Sequence, residues 1–250
     1  MKIINKKSIP VILLLSIAAA SFLVCGRNIL PQAIEDVSDA IYYHELSKEI
    51  TSEMEQDMRR DTKKMPTAEE LDEGIAAWLK IEGTKINYPV MQEKHGEEGA
   101  YLCHRPDGKY SKGGSLYIPS YDSVECGQII IYGHHMHNGR MFAGLAGYKD
   151  EKWAQKHMTV RLTTADGEAQ YKVFAVMVQS IRNRDFRWED SISFDGMDDK
   201  ANFEAKCRDR SVVDLQDEND VPSEDTSYLT MVTCDYSVPD GRLIVVCRKE

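Results

Sequence analysis

The chain has 250 residues, 42% of them hydrophobic and 29% charged, with a formal net charge of −10. That length fits one domain with a short appendage, and the ordinary globular composition excludes wholesale disorder, a collagen-like repeat and a polytopic membrane protein. The acidic balance argues against nucleic acid as the main partner, because phosphate binding needs a surplus of Lys and Arg on some face.

The charge is unevenly spread. Lys2, Lys6 and Lys7 are the only charges before Gly26, so the rest of the chain carries 28 of the 31 basic residues and all 41 acidic ones, a net −13. Ser8–Gly26 (SIPVILLLSIAAASFLVCG) is uncharged, and as a helix rising about 1.5 Å per residue it spans ~28 Å, close to the hydrocarbon thickness of a bilayer. The lysines before it favour a cytoplasmic N-terminus and place everything after Gly26 outside. The reading is therefore a basic tail over 1–7 and a retained signal anchor over 8–26, giving a single-pass cell-membrane protein. Two alternatives stay open: a signal peptide cleaved near Ala18-Ala19-Ala20, and a lipidated Cys25. All three export the remainder.

Ile34, Val37 and Ile41, then Leu46, Ile50 and Met54, recur at helical spacing and predict one or two amphipathic helices within a stalk over 27–66. Thr62–Pro66 reads as a break, and Thr67 as the N-cap of a short helix opening a domain over 67–250. Beyond Leu79 the texture turns to short β-rich runs. Predicted strands are Lys85–Val90, Ser115–Ile118, Gln128–Tyr132, Thr159–Thr163, Ala169–Val178, Tyr228–Thr233 and Leu243–Val246. The early turns are too short for crossover helices, which favours a mostly antiparallel barrel or sandwich. Met141–Tyr148 and Asp198–Arg208 read as helices inserted between strands.

Two segments can carry chemistry. In Ile131-Tyr132-Gly133-His134-His135-Met136-His137 a strand runs into a glycine and a histidine cluster. In Thr230-Met231-Val232-Thr233-Cys234-Asp235-Tyr236 an apolar strand ends on a cysteine, and Arg242 opens the next strand after the turn Ser237–Gly241. A hairpin brings Cys234 and Arg242 to one small volume. The functional reading is a thiol nucleophile (Cys234), an imidazole partner (His134) and a cationic stabiliser (Arg242). By pattern alone the plainer reading is favoured, with Cys234 a small core residue, His134 a turn residue and Arg242 a solvated strand end.

Thr230–Cys234 resembles the TLxTC signature of sortases, with Met231 in place of Leu. Tyr132-Gly133-His134 is similar to that family's Gly-His strand end, and Arg242 to the arginine one hairpin beyond the cysteine. Trp78–Val90, Gly108–Ile118, Tyr132–Met136 followed by Met141-Phe142, and an insert from Arg184 to Ser211 resemble the class B branch. The resemblance implies a mostly β fold: a closed eight-stranded sortase-type barrel with N-terminal helices and a helix inserted between late strands. It implies a cysteine transpeptidase that cleaves a C-terminal Asn-Pro-X-Thr-Gly/Asn-like sorting motif of exported proteins through a thioester on Cys234. The acyl group would pass to an amine of a lipid-linked peptidoglycan precursor. His134, Cys234 and Arg242 are the catalytic residues so implied, with Tyr132 and Thr233 as substrate contacts. No metal or other cofactor is implied.

The alternatives are a pilin-polymerising relative that uses a client lysine, a barrel that lost its activity, and a surface protein holding a metal on His134, His135 and His137 with Cys103, His104 or Cys234. The family motif gives His135 and His137 no role. Asp235 is left out of the catalytic set, since a residue next to Cys234 in a strand faces the other way. Cys103, Cys126, Cys207 and Cys247 are read as free thiols alongside Cys234.

Overall fold

The computed structural model describes residues 31–48, 74–183, 185–215 and 221–250. The anchor expected over 8–26, the stalk after residue 48 and the cap at Thr67 lie outside these. The chain divides into two units at Lys48. In the first, residues 31–48 form one helix, α1, with Ile34, Val37 and Ile41 along an exposed stripe. Among the described residues no helix is long and apolar enough to cross a membrane.

The second unit is built on eight strands: β1 (Ile75–Ile81), β2 (Asn87–Gln92), β3 (Leu116–Ile118), β4 (Gln128–Tyr132), β5 (Thr159–Thr164), β6 (Gly167–Ser180), β7 (Tyr228–Asp235) and β8 (Gly241–Lys249). They close into a barrel in the order β1-β2-β3-β4-β7-β8-β6-β5, sealed by the β5–β1 pairing. Two of the pairings, β2–β3 and β4–β7, are parallel. The barrel is thus mixed, and with the other six pairings antiparallel it is mostly antiparallel, as the short connections suggest. β2 and β3 follow one another along the chain across a long connection, and β4 and β7 meet only after the chain has travelled through β5 and β6.

The short helix expected after Thr67 falls on residues outside the described ones, and by Ile75 the chain is already in β1. Ala76, Ala77 and Leu79 are good helix formers, and they mask an alternation in which Ile75, Ala77, Leu79 and Ile81 are buried and the residues between them are not. The helix expected over Met141–Tyr148 is a 3-10 helix over Phe142–Lys149, followed by α2 (Glu151–Lys156). α3 (Met197–Asp209) matches the late helix expected from the sequence.

Period-2 alternation gives β7 two working faces. Leu229 and Met231 are fully buried on one, in keeping with Met231 as a packing position. On the other, Tyr228 and Val232 join Ile130 of β4, Met177 of β6 and Ile244 and Val246 of β8 in a second core. The chain between β6 and β7 covers that core with Phe186, Trp188, Phe203 and Cys207.

Glu204 of α3 ties this cover to the barrel. Its buried carboxylate accepts from Tyr228 Oη at 2.9 Å, from Arg248 Nε at 2.8 Å and Nη2, and from Arg208 Nη2 at 3.3 Å. Removing one partner of a buried ion pair strands the other charge, so Glu204→Ala is expected to lower stability by about 3–5 kcal/mol. Urea unfolding measures it. Glu204→Leu with Arg248→Met should recover part of the loss, because an apolar pair leaves no orphaned charge; a single variant within 1 kcal/mol of wild type, roughly the worth of an ordinary hydrogen bond, would refute the clamp.

Candidate active site

β4 ends at Tyr132 and passes through Gly133, where a side chain has no room. A Cβ there would stand 2.3 Å from Leu116 Cδ2 and 2.7 Å from Phe142 Cδ2. Gly133 is bonded on both sides to β7: its N–H donates to Val232 O at 3.1 Å, and Thr233 Oγ1 donates to its carbonyl at 2.8 Å. Tyr132 pairs with Val232 in parallel register. That register ends at Tyr132, and His134 follows two residues beyond it as Cys234 follows two residues beyond Val232.

On the other side of β7, Cys234 lies directly opposite Arg242 of β8. Directly opposed residues of an antiparallel pair project to one face, with Cβ atoms about 4.5–5.5 Å apart. Cys234 and Arg242 thus face each other where β7 ends and β8 begins, and His134 follows the end of the adjacent strand β4.

His134 Nε2 lies 2.8 Å from Leu102 O. A carbonyl can only accept, so Nε2 carries the hydrogen and Nδ1 is the nitrogen left for proton transfer. Leu102 closes a short 3-10 turn, Ala100–Leu102, packed over Gly114. Gly114 has φ +56°, and a Cβ on it would sit 2.6 Å from the Leu102 oxygen. The sequence offers no signal for this partner, since a main-chain carbonyl belongs to any residue.

The thiols differ in surroundings. Burial pushes the Cys207 and Cys247 thiols far up from their ordinary range, which leaves them protonated and inert. Cys234 is partly accessible at its strand end. All five described cysteines are free thiols.

The histidine cluster does not converge. His135 Nδ1 contacts Cys234 O at 3.0 Å, and His137 stacks on Tyr236 with ring centroids 6.0 Å apart. Cys103 Sγ is 3.5 Å from His104 Nδ1, whose nearer partner is Ala100 O at 2.9 Å. Among the described residues no group of three or more His, Cys, Asp or Glu is arranged to hold a metal.

Tyr132, expected as a substrate contact, belongs to an aromatic wall beside the three residues. It stacks on Tyr117 at 5.8 Å, and its hydroxyl accepts from Trp188 Nε1 at 3.1 Å and meets Tyr121 Oη at 3.2 Å. Burial pushes the Tyr117 phenol up to about 12, with Glu93 and Tyr121 adding to the rise and the Arg242 charge opposing it. Arg242 therefore acts electrostatically on this wall. Thr233, the other expected contact, is buried on the opposite face, where its hydroxyl holds Gly133.

Asp235 is buried and bound elsewhere. Its carboxylate takes Lys149 Nζ at 2.6 Å together with the N–H and hydroxyl of Ser237. Burial alone would raise this carboxyl, but the hydrogen bonds from Lys149 and Ser237 hold it below the usual range. A group depressed on folding stabilises fully above its unfolded value of about 3.9, and that contribution is lost as pH falls through the folded value. Asp235→Asn is expected to remove about 1–3 kcal/mol at pH 7 and to shrink the difference from wild type below pH 4. Denaturant midpoints across that range test it; parallel curves would show that the Lys149 pair contributes nothing.

Residues 79–250 match the family model described as the sortase domain. Sortase B of Staphylococcus aureus (strain NCTC 8325 / PS 47) is 25% identical over 230 residues, 90% of this chain and 91% of that protein. Sortase B of Listeria monocytogenes serovar 1/2a (strain ATCC BAA-679 / EGD-e) is 29% identical over 147 residues, 58% of this chain and 56% of that protein. The solved Staphylococcus aureus sortase B–substrate complex shares the fold with a TM-score of 0.74 at 22% identity, covering 87% of this chain and 98% of its own. With the family model running from Leu79 in β1 through β8, and the same barrel in both, the chain belongs to the sortase family, in its class B branch, and is a cysteine transpeptidase.

Proposed function

We propose that Cys234 is the nucleophile, His134 the general acid and base, and Arg242 the stabiliser of the oxyanion. The observation that carries this reading is the pairing of Cys234 with Arg242 across β7–β8, with His134 two residues beyond the end of β4, the strand that pairs with β7. A free thiol is only a few per cent ionised at neutral pH, and a neighbouring imidazolium and guanidinium favour the thiolate. Cys234 Sγ attacks the Thr carbonyl of an Asn-Pro-X-Thr-Gly/Asn-like sorting motif. Negative charge gathers on the carbonyl oxygen, where Arg242 and a backbone N–H stabilise it.

The Thr–Gly or Thr–Asn C–N bond then breaks. The leaving amine takes the proton on Nδ1 of His134, and the acyl group stays on Cys234 as a thioester. An incoming amine loses its proton to the same nitrogen as it displaces the thiolate, which restores the starting state. The Tyr117–Tyr132 wall is the surface along which the motif lies in this scheme, with Trp188 and Glu189 at its edge.

The clients are exported proteins with a C-terminal sorting signal, and the acceptor is an amine of a lipid-linked peptidoglycan precursor. Anchoring through residues 8–26 places the catalytic unit outside, where both occur; the uncharged stretch and its preceding lysines support this topology. Intact-mass spectrometry of the full-length chain with a panel of sorting-motif peptides tests the reading. It should detect an acyl adduct on Cys234, with the preferred motif identified by its mass. Cleavage without an adduct at Cys234, or adducts at another cysteine, would defeat it.

A further inference from the structure

We infer that His135, to which the family motif gives no role, is a positioning residue that holds the main chain of the nucleophile. The inference rests on Cys234 being the nucleophile. In a parallel pairing the bonds recur at every second residue of a strand. Gly133 N–H donates to Val232 O, so the next bond along β4 would bring the N–H of residue 135 to Cys234 O. β4 has ended by then, and residue 135 instead bridges to Met141. The imidazole takes the vacant place: His135 Nδ1 lies 3.0 Å from Cys234 O, and since a carbonyl only accepts, Nδ1 carries the hydrogen.

The ring is held in that pose. It packs on Tyr236 with centroids 5.5 Å apart, and Tyr236 Oη reaches His135 O at 3.5 Å. Adjacent histidines thus anchor in opposite senses. His134 donates to Leu102 O outside the sheet, and His135 donates to the residue that carries the thiol. The separation between the His134 ring and the Cys234 thiol is then fixed through a two-residue span of backbone. At its far end the same loop is tied again, by Lys149 to Asp235. Loss of the His135 bond frees the carbonyl next to the reacting sulfur, and small misplacements of reacting groups lower rates steeply.

Two variants separate the hydrogen bond from the packing of the ring. His135→Phe keeps a ring on Tyr236 and loses the donor, while His135→Asn loses the ring and keeps an N–H near the position of Nδ1. Peptide cleavage should show kcat lowered about 10- to 100-fold in His135→Phe, with KM changed less than about 3-fold, and His135→Asn within about 3-fold of wild type. The converse pattern, equal rates in both variants, or an effect confined to KM would overturn the inference. Circular dichroism establishes that each variant is folded.

Labelling of Cys234 by iodoacetamide at pH 7, followed by intact mass, needs no substrate. His135→Phe should label about 10-fold more slowly than wild type, because the thiol has lost its register with the imidazole that favours the thiolate. His135→Asn should label at the wild-type rate. If the wild-type chain forms no thioester with any peptide, the nucleophile reading fails by itself. The labelling rates still decide whether His135 positions Cys234, and equal rates in all three proteins would refute it.

Discussion

Cys234→Ala is expected to abolish peptide cleavage and the acyl adduct together, a loss of at least about 10⁴-fold. No other thiol among the described residues is placed to substitute. Cys207 and Cys247 are buried with their thiols pushed far up, and Cys234 is the cysteine that the β7–β8 register sets opposite Arg242. His134→Ala should fall nearly as far, because the imidazole both favours the thiolate and carries the proton to the leaving amine. The double variant should be no slower than either single one, since residues that act as one unit lose their effect together. Chromatography of the cleaved peptide with intact-mass analysis reads both quantities. Cleavage by Cys234→Ala within tenfold of wild type would remove Cys234 from the reaction, and rate losses that add in the double variant would separate His134 from it.

Much of this arrangement was legible in the sequence because hairpins are local. The turn Ser237–Gly241 lies between Cys234 and Arg242, so their meeting follows from strand–turn–strand geometry, and the observed register pairs them directly. Gly133 was legible as a strand end, and Leu116 and Phe142 supply the steric reason for it. His134 is different. It follows β4, whose parallel pairing with β7 neither periodicity nor turn chemistry reveals, so the pattern alone left its partnership with Cys234 the weaker reading and the resemblance carried it.

What escaped the sequence shares one physical character: it is long-range or made by main chain. Leu102 supplies a carbonyl, and every residue has one. Lys149 meets Asp235 across 86 positions, and Trp188 meets Tyr132 across 56. The resemblance implies Thr233 as a substrate contact. Strand alternation turns it to the other face, where its hydroxyl fastens Gly133. The first strand was hidden for a different reason, since IAAWLKI has helix-forming residues in a strand's alternation and burial decides between them.

Arg242 carries the second large effect. It lies opposite Cys234, on the same face, at the start of β8, and its Nη1 donates to Gly241 O at 3.0 Å, which leaves further N–H groups of the fork for an oxyanion. Charge on that oxygen exists only once Sγ has bonded to the carbonyl carbon, so the interaction belongs to the transition state rather than to the bound substrate. Arg242→Ala is therefore expected to lower kcat by about 10²- to 10³-fold while leaving KM nearly unchanged. Arg242→Lys should recover little, because an ammonium is a point charge on a flexible stem and cannot present two parallel donors from a fixed plane. Steady-state cleavage of one peptide by the three proteins separates the outcomes. A loss confined to KM would make Arg242 a substrate clamp, and full activity in Arg242→Ala would take it out of the mechanism and leave the backbone N–H as the sole stabiliser of the oxyanion.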